Sequence, residues 1–497
     1  VNGCQKQINT RHKSITLNLQ EGDPPSLNPY VGVDLRSRCL YLNLFEPLMR
    51  REAQGDLKCA AADRVEIDPT QTVYTFHIRP HRWSNGEPVT SAHFANAWRY
   101  ALQPDSPCFR ADLFYLIKNG EKVKKRELSP DSLGIQSPDP STLIVTLEHP
   151  TPYFLDLAAS SFYCPLYEPT GQEPTCFNGP FSVKESLPDR KLTLHRNPYY
   201  WDLSSVEIDE ICFTMVKDPM TAYALFEKGE LDVVGDPFSP LPFDLIPTLV
   251  SENRIRERTV SRIFYLLLNT ETHPLSSASI RKALSLSLDR EALTNHLFFG
   301  EIPTVSPLPV TLSTLQGVPQ EDYLLLFEKG LEELGLTRET FPTLVFSYAE
   351  LSGQKKLAEF VQEQWQKKLG ISVEIICNEW NIHAANLRKG NYQIGTLHLT
   401  TLYQDPMFYL DLFRDKTSRS NYCRWEDPQF QAMLLASEQA TDLAAREAYI
   451  KQAEAYLYEH MPAISLFTQN FQYLQNDNLH LELSDLGIYD FKHAHLK

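Results

Sequence analysis

The sequence predicts a mixed α/β fold over the whole chain, and three observations carry that reading. Val73 to Arg79, VYTFHIR, places Tyr74, Phe76 and Ile78 on one face and Val73, Thr75 and His77 on the other, the period-2 pattern of a half-buried strand. Phe94, Ala97, Trp98, Ala101 and Leu102 then recur at the spacing of one face of a helix. Runs of these two kinds alternate as far as the C-terminus, with no internal repeat and no low-complexity linker. A chain of 497 residues exceeds one ordinary core, so two or three domains are expected.

The elements follow in order. Pro80 stops the first strand, Asn85-Gly86 supplies a turn, and Thr90 is placed to cap the helix that follows. Trp83, Phe94 and Trp98 read as core. The turn cluster SPDPST precedes a second alternating run, Leu143 to Leu147. Asn178-Gly179-Pro180 introduces FSVKE, and Leu192 to Arg196 reads as its hairpin partner before Asn197-Pro198 breaks the run. Asp218 to Lys228 reads as a helix closed by Gly229, with the short strand ELDVV after it. Ile280, Ala283, Leu284 and Leu288 form another helical face. Leu357, Phe360, Val361 and Trp365 form a further one, ahead of Gly370 and the strand ISVEII. Tyr392 to Leu399 is a strand, and Leu443 to His460 a long helix.

Composition excludes several classes of function. With 63 acidic and 47 basic side chains the net charge is -16, which repels phosphate backbones and offers no counterion release, so no nucleic-acid partner is expected. No run of eighteen apolar residues is present to cross a bilayer as a helix. Val1-Asn2-Gly3-Cys4, followed by polar residues, looks like the tail of a bacterial lipoprotein signal. Cys4 is therefore the candidate lipid anchor of an otherwise soluble, extracytoplasmic body.

Eight further cysteines show no zinc spacing and read either as disulfides or as small buried hydrophobes. Cys164 and Cys176, flanking a turn-rich stretch, are the first pair to test. His93 and His383 have no second ligand at metal spacing and are expected to face solvent, while His398 sits on either face of its strand. The charged block Glu121 to Glu127 reads as a solvated connection. No nucleophile elbow, zinc-protease, phosphate-loop or dinucleotide motif occurs, so neither catalysis nor a metal or cofactor is expected.

Several strings taken in order carry a resemblance. YTFHIR with WSNGEPVTSAHFANAWRYAL, NLFEPL at Asn43 to Leu48, RNPYYWD at Arg196 to Asp202, KGELDVV at Lys228 to Val234 and IRKALSLSLDREAL at Ile280 to Leu293 resemble the oligopeptide- and dipeptide-type receptors of ABC importers, family 5 of the bacterial extracellular solute-binding proteins. The resemblance runs from about residue 14 to the C-terminus. It implies a two-lobed, periplasmic-binding-protein-like fold with an extra domain and a hinge that closes the lobes over a ligand. By that likeness, lobe I is assembled from 14–41, 176–262 and 470–497, the extra domain spans 42–175, and lobe II spans 263–469. The implied function is capture of an oligopeptide or peptide-like ligand by a monomer, touching the membrane only through its lipid anchor, and delivery to an ABC permease. The alternatives are a same-fold receptor for haem, a metal chelate or a sugar, and a surface adhesin or scaffold.

The resemblance also implies a ligand groove. In the family a carboxylate meets the ligand ammonium, and Arg or His side chains meet its carboxylate. Here Leu402, in LHLTTLYQDP, falls where the ammonium-binding Asp is expected, and the positions of the C-terminal anchors hold Thr396, Leu387 and Gln354. Arg388 lies one place from an expected Arg, and Trp380 matches an aromatic lining the groove. Leu399, Thr400, Tyr403 and Gln404 lie on the same binding segment. A ligand ammonium buried against Leu402 without a partner would lose several kcal/mol. Either Asp405, Asp23, Glu21 or Glu46 replaces the missing acid, or the ligand presents no free ammonium there. Asp405, just ahead of Pro406, also reads as a turn or helix-cap acid.

Overall fold

A computed structural model of the chain describes residues 12–497 apart from Val33, Gln316, Pro319, Arg419 and Thr441. Cys4, the expected anchor, lies outside the described residues.

One four-stranded sheet has the spatial order Ser14–Asn18, Glu210–Thr214, Lys191–Arg196 and Phe181–Leu187. Its first two strands are parallel, and the expected hairpin forms its antiparallel edge. The chain between these strands builds a separate antiparallel sheet, ordered Ala62–Ile67, Val73–Ile78, Thr142–Thr146 and Ile135–Asp139. Helix Ser91–Leu102 packs on it and buries Phe94, Ala97, Trp98 and Ala101 completely. Trp83 is equally enclosed, and the Trp98 indole donates to the Tyr163 carbonyl at 3.1 Å, so these rings are core.

His93 corrects one expectation. Its Nδ1 accepts the Thr90 backbone N–H at 3.0 Å, completing a capping box, and its ring lies between Trp83 and Tyr167 rather than in solvent. Within the charged block, Gly120–Lys124 forms a short helix whose Lys124 ammonium donates to the Gln103 carbonyl at 2.8 Å, at the far end of helix Ser91–Leu102.

The largest sheet runs Val233–Gly235, Ala463–Gln475, Arg256–Leu268, Ile394–Thr400, Leu344–Ala349 and Val373–Asn378. Helices Ala278–Leu286 and Gln354–Leu369 bury Ile280, Leu284, Leu357, Val361 and Trp365 in one core with Phe264, Phe346 and Ile464. Leu288 lies just past the end of its helix but is buried with the same core. The helix Leu443–His460 has the expected bounds, with Asp442 as its cap.

Cys164 and Cys176 are not bonded to each other, and every described cysteine is a free thiol. The blander reading holds for this pair. Cys164 is fully buried and burial pushes its thiol well up, while Cys176 lies beside the Thr175 hydroxyl at 3.8 Å.

Candidate functional site: a pocket at an interrupted ladder

The two 13-residue strands Arg256–Leu268 and Ala463–Gln475 pair along most of their length, but between the Thr259–Asn470 and Ile263–Thr468 pairs the register shifts. Three residues, Val260 to Arg262, then face the single residue Gln469. The bulge turns the Ser261 backbone away from the ladder. Its N–H donates to the Asp485 carbonyl at 2.7 Å, and its carbonyl accepts from the Thr401 N–H at 3.0 Å and the Tyr409 hydroxyl at 2.8 Å. The interruption thus draws together the turn between strands Leu479–Leu483 and Tyr489–Leu496 and the segment following strand Ile394–Thr400.

Helix Leu35–Leu44 closes this junction. Asp34 caps it, and from its first turns the Arg38 guanidinium reaches the Thr401 carbonyl at 3.1 Å. A pocket of about 680 Å³, counting its open mouth, lies between these parts. Leu402, Tyr403 and Gln404 form one wall; Arg38, Tyr489 and Asp490 form the second; Arg51, Asp156 and Ser161 form the third.

The charges in the pocket are unevenly matched. Arg50 holds Glu46 at 3.3 Å and Asp490 at 3.1 Å, and Arg51 bonds Asp156. Arg38 has no carboxylate within 4.0 Å among the described residues, and burial lowers its guanidinium to about 10. On the third wall the Ser161 hydroxyl is buried and has no hydrogen-bond partner among the described residues.

The acids considered as replacements for the missing anchor are all engaged. Asp405 pairs with Arg446 at 2.8 Å and accepts the Met407 N–H at 2.9 Å, the turn role. Asp23 accepts the Asp189 N–H at 2.6 Å, and Glu21 pairs with Arg36 at 2.9 Å. Glu46 is fully buried against Arg50 and the Tyr200 hydroxyl.

The remaining groove residues separate into groups. Tyr403 stacks on Tyr153 with centroids 5.0 Å apart, and the Gln404 side-chain carbonyl accepts from the Ser261 hydroxyl at 3.2 Å. Leu399 lines a second, apolar recess with Leu412 and Phe413, and Thr400 pairs with Arg262. Gln354 and Thr396 meet away from the pocket, where the Thr396 hydroxyl donates to the Gln354 side-chain carbonyl at 2.6 Å. His383 bonds the Thr396 carbonyl at 2.8 Å and is 1% exposed, correcting its expected place in solvent. It lies on the inner face of helix Trp380–Lys389, where the carbonyl satisfies the ring and makes burial cheap. Trp380 and Arg388 are exposed on that helix. His398 faces inward, its ring 4.2 Å from that of Phe264, and burial with Arg262 nearby holds it well below the usual imidazole range.

Sequence reasoning did not find Arg38, Arg51, Asp156, Ser161 or Asp490. They come from three segments far apart in the chain, and no local motif marks them.

Comparison with known proteins agrees with this architecture. The family model for bacterial extracellular solute-binding proteins, family 5 Middle, matches residues 56–421. The oligopeptide-binding protein OppA of Bacillus subtilis (strain 168) is 31% identical over 100% of this chain and 95% of its own length. The dipeptide-binding protein DppE of the same strain is 26% identical over 96% and 91%. The crystal structure of the periplasmic oligopeptide-binding protein OppAIV from Borrelia burgdorferi aligns with a TM-score of 0.83 at 25% identity, covering 98% of this chain and 100% of that one. The two-lobed α/β fold class expected from the sequence is the one these relatives share. The chain belongs to family 5 of the bacterial extracellular solute-binding proteins.

Proposed function

We propose that this receptor captures an oligopeptide or peptide-like ligand between its lobes, outside the cytoplasm, and hands it unchanged to an ABC permease. The observation that carries the reading is the pocket beside the interrupted ladder, whose walls come from segments that this reading gives to different lobes: Arg38 and Ser161 on one side, Leu402 to Gln404 on the other. An extended peptide satisfies its own backbone groups against such edges, which makes recognition tolerant of sequence. Gln354 and Thr396, with Trp380 and Arg388 on the nearby helix, serve the far end of the groove in this reading. The division into lobe I at 14–41, 176–262 and 470–497, the extra domain at 42–175 and lobe II at 263–469 belongs to the same proposal. The sheet that joins Ser14–Asn18 to residues 181–214, across an intervening sheet of its own, supports it. A monomeric state and lipid attachment at Cys4 belong to the same proposal.

The test is incubation with a mixed peptide pool, followed by mass spectrometry of the bound fraction and a melting curve. A receptor returns peptides intact and melts higher in their presence. Cleaved peptides, or no rise in Tm with any member of the pool, would overturn the reading.

A further inference from the structure

We infer that the pocket beside Leu402 receives a carboxylate of the ligand, held by the Arg38 guanidinium and the Ser161 hydroxyl, and not a ligand ammonium. The inference deepens the peptide reading above and rests on it.

Three observations converge. Leu402, 7% exposed, places hydrocarbon where an ammonium would need an acid. The acids that do line the pocket are already committed, Asp156 to Arg51 and Asp490 to Arg50. An ammonium entering here would have to share a carboxylate with an arginine and meet a further cation, Arg38. Arg38 in turn has no acid within 4.0 Å among the described residues, and its bond to the Thr401 carbonyl leaves further donors for a ligand. A guanidinium carries five N–H donors and matches the two oxygens of a carboxylate.

The Ser161 hydroxyl on the facing wall supplies another donor. It is buried, without a partner, and so retains the cost of its desolvation until something accepts from it. One ligand carboxylate answers both needs, offering negative charge to the unmatched arginine and an acceptor to the hydroxyl. A peptide meeting the pocket this way enters with its C-terminal carboxylate, or an acidic side chain near its end, against Leu402.

Calorimetry on the full chain decides the matter with four ligands: tri-alanine, N-acetyl-tri-alanine, tri-alanine amide, and an amidated tripeptide carrying one glutamate. The expected result is that acetylation changes affinity by less than about threefold while amidation weakens it about tenfold or more, the scale of a charge-assisted hydrogen bond. Recovery by the glutamate peptide assigns the side-chain carboxylate, and failure to recover assigns the chain terminus; both are carboxylate recognition. Arg38→Met and Ser161→Ala should each weaken tri-alanine and leave the amide unchanged. Ser161→Ala keeps the Arg38–Thr401 contact, and the ligand series needs no variant, so the test stands even if Arg38→Met misfolds. If the amide binds as tightly as tri-alanine and acetylation costs tenfold, the inference is overturned while the peptide receptor survives. If none of the four binds or raises Tm, the peptide reading fails and takes the inference with it.

Discussion

Arg38 donates to the carbonyl of Thr401 at 3.1 Å, joining residues 363 positions apart in the chain. The bond ties helix Leu35–Leu44 to the segment that carries Leu402, Tyr403 and Gln404, so the cation lining the pocket also fixes the distance between two of its walls. Separation of those walls must break it, and a ligand that engages Arg38 acts on the same contact that holds the pocket shut.

Leu402→Asp tests the wall directly. The substitution puts a carboxylate beside an arginine that has none, supplying a partner for an ammonium and competing with a ligand carboxylate. Free-amine tripeptides with amidated ends should bind about tenfold more tightly, the scale of one charged hydrogen bond, and N-acetylated tripeptides should bind more weakly. Unchanged affinities for both by calorimetry would remove Leu402 from the ligand's end.

Asp405 and Arg446 predict a stability effect without a binding effect. Their side chains are 11% and 9% exposed and 2.8 Å apart, so Arg446→Met strands a buried carboxylate at a cost of about 3–5 kcal/mol. Adding Asp405→Asn removes the stranded charge and should recover most of that loss in denaturant unfolding. Asp405→Asn alone should leave tripeptide affinity within about twofold. A large loss of affinity would return Asp405 to the ligand site.

The contrast between Asp405 and Arg38 also says what the sequence made legible. Asp405 lies next to Pro406 just ahead of a short helix, a local arrangement that declares a turn, and Met407 N–H is indeed on its carboxylate. Thr90 announced its helix through a local signal of the same kind. Leu402 was found through a family pattern confined to ten residues. Arg38 and Ser161 had no such signal, because their meaning comes from partners that are absent or distant. An arginine without an acid looks like any other arginine until the fold shows what surrounds it. His383 failed for a related reason: lone histidines are read as polar, yet one carbonyl at 2.8 Å suffices to bury the ring.

Tyr403, on the pocket wall, stacks on Tyr153 within 10° of parallel, and Tyr403 is 6% exposed. Tyr403→Ala removes that contact and leaves a cavity beside Phe408, costing about 3 kcal/mol, whereas Tyr403→Phe keeps the stack and should cost far less. The double variant with Tyr153→Ala should be less destabilised than the sum of the singles, as expected of residues in contact. Strict additivity in unfolding experiments would show that the stack contributes nothing.

A pH dependence follows from the other face of the bulge. Asp236 accepts the Gln472 N–H at 3.2 Å, and burial raises its carboxyl to about 6 despite that bond and the nearby Arg262. Glu301 is pushed well above the usual carboxylate range, again by burial first, with Asp236 and Glu257 adding like charge. In the unfolded chain an aspartate titrates near about 3.9. The folded protein therefore keeps the Asp236 proton where the unfolded chain has lost it, and stability falls as pH rises. This contribution is fully present below the unfolded value and is lost as pH passes through about 6. His398 acts in the opposite direction, because burial keeps it neutral in the fold while the unfolded chain protonates it below about 6.5, and buried His81 and His383 are lowered likewise. Between pH 4.5 and pH 7.5 the Tm of the parent protein should fall by about 1–3 °C relative to that of Asp236→Asn, which has no proton to lose. Parallel pH profiles for the two proteins would show that this carboxyl is not held protonated by the fold.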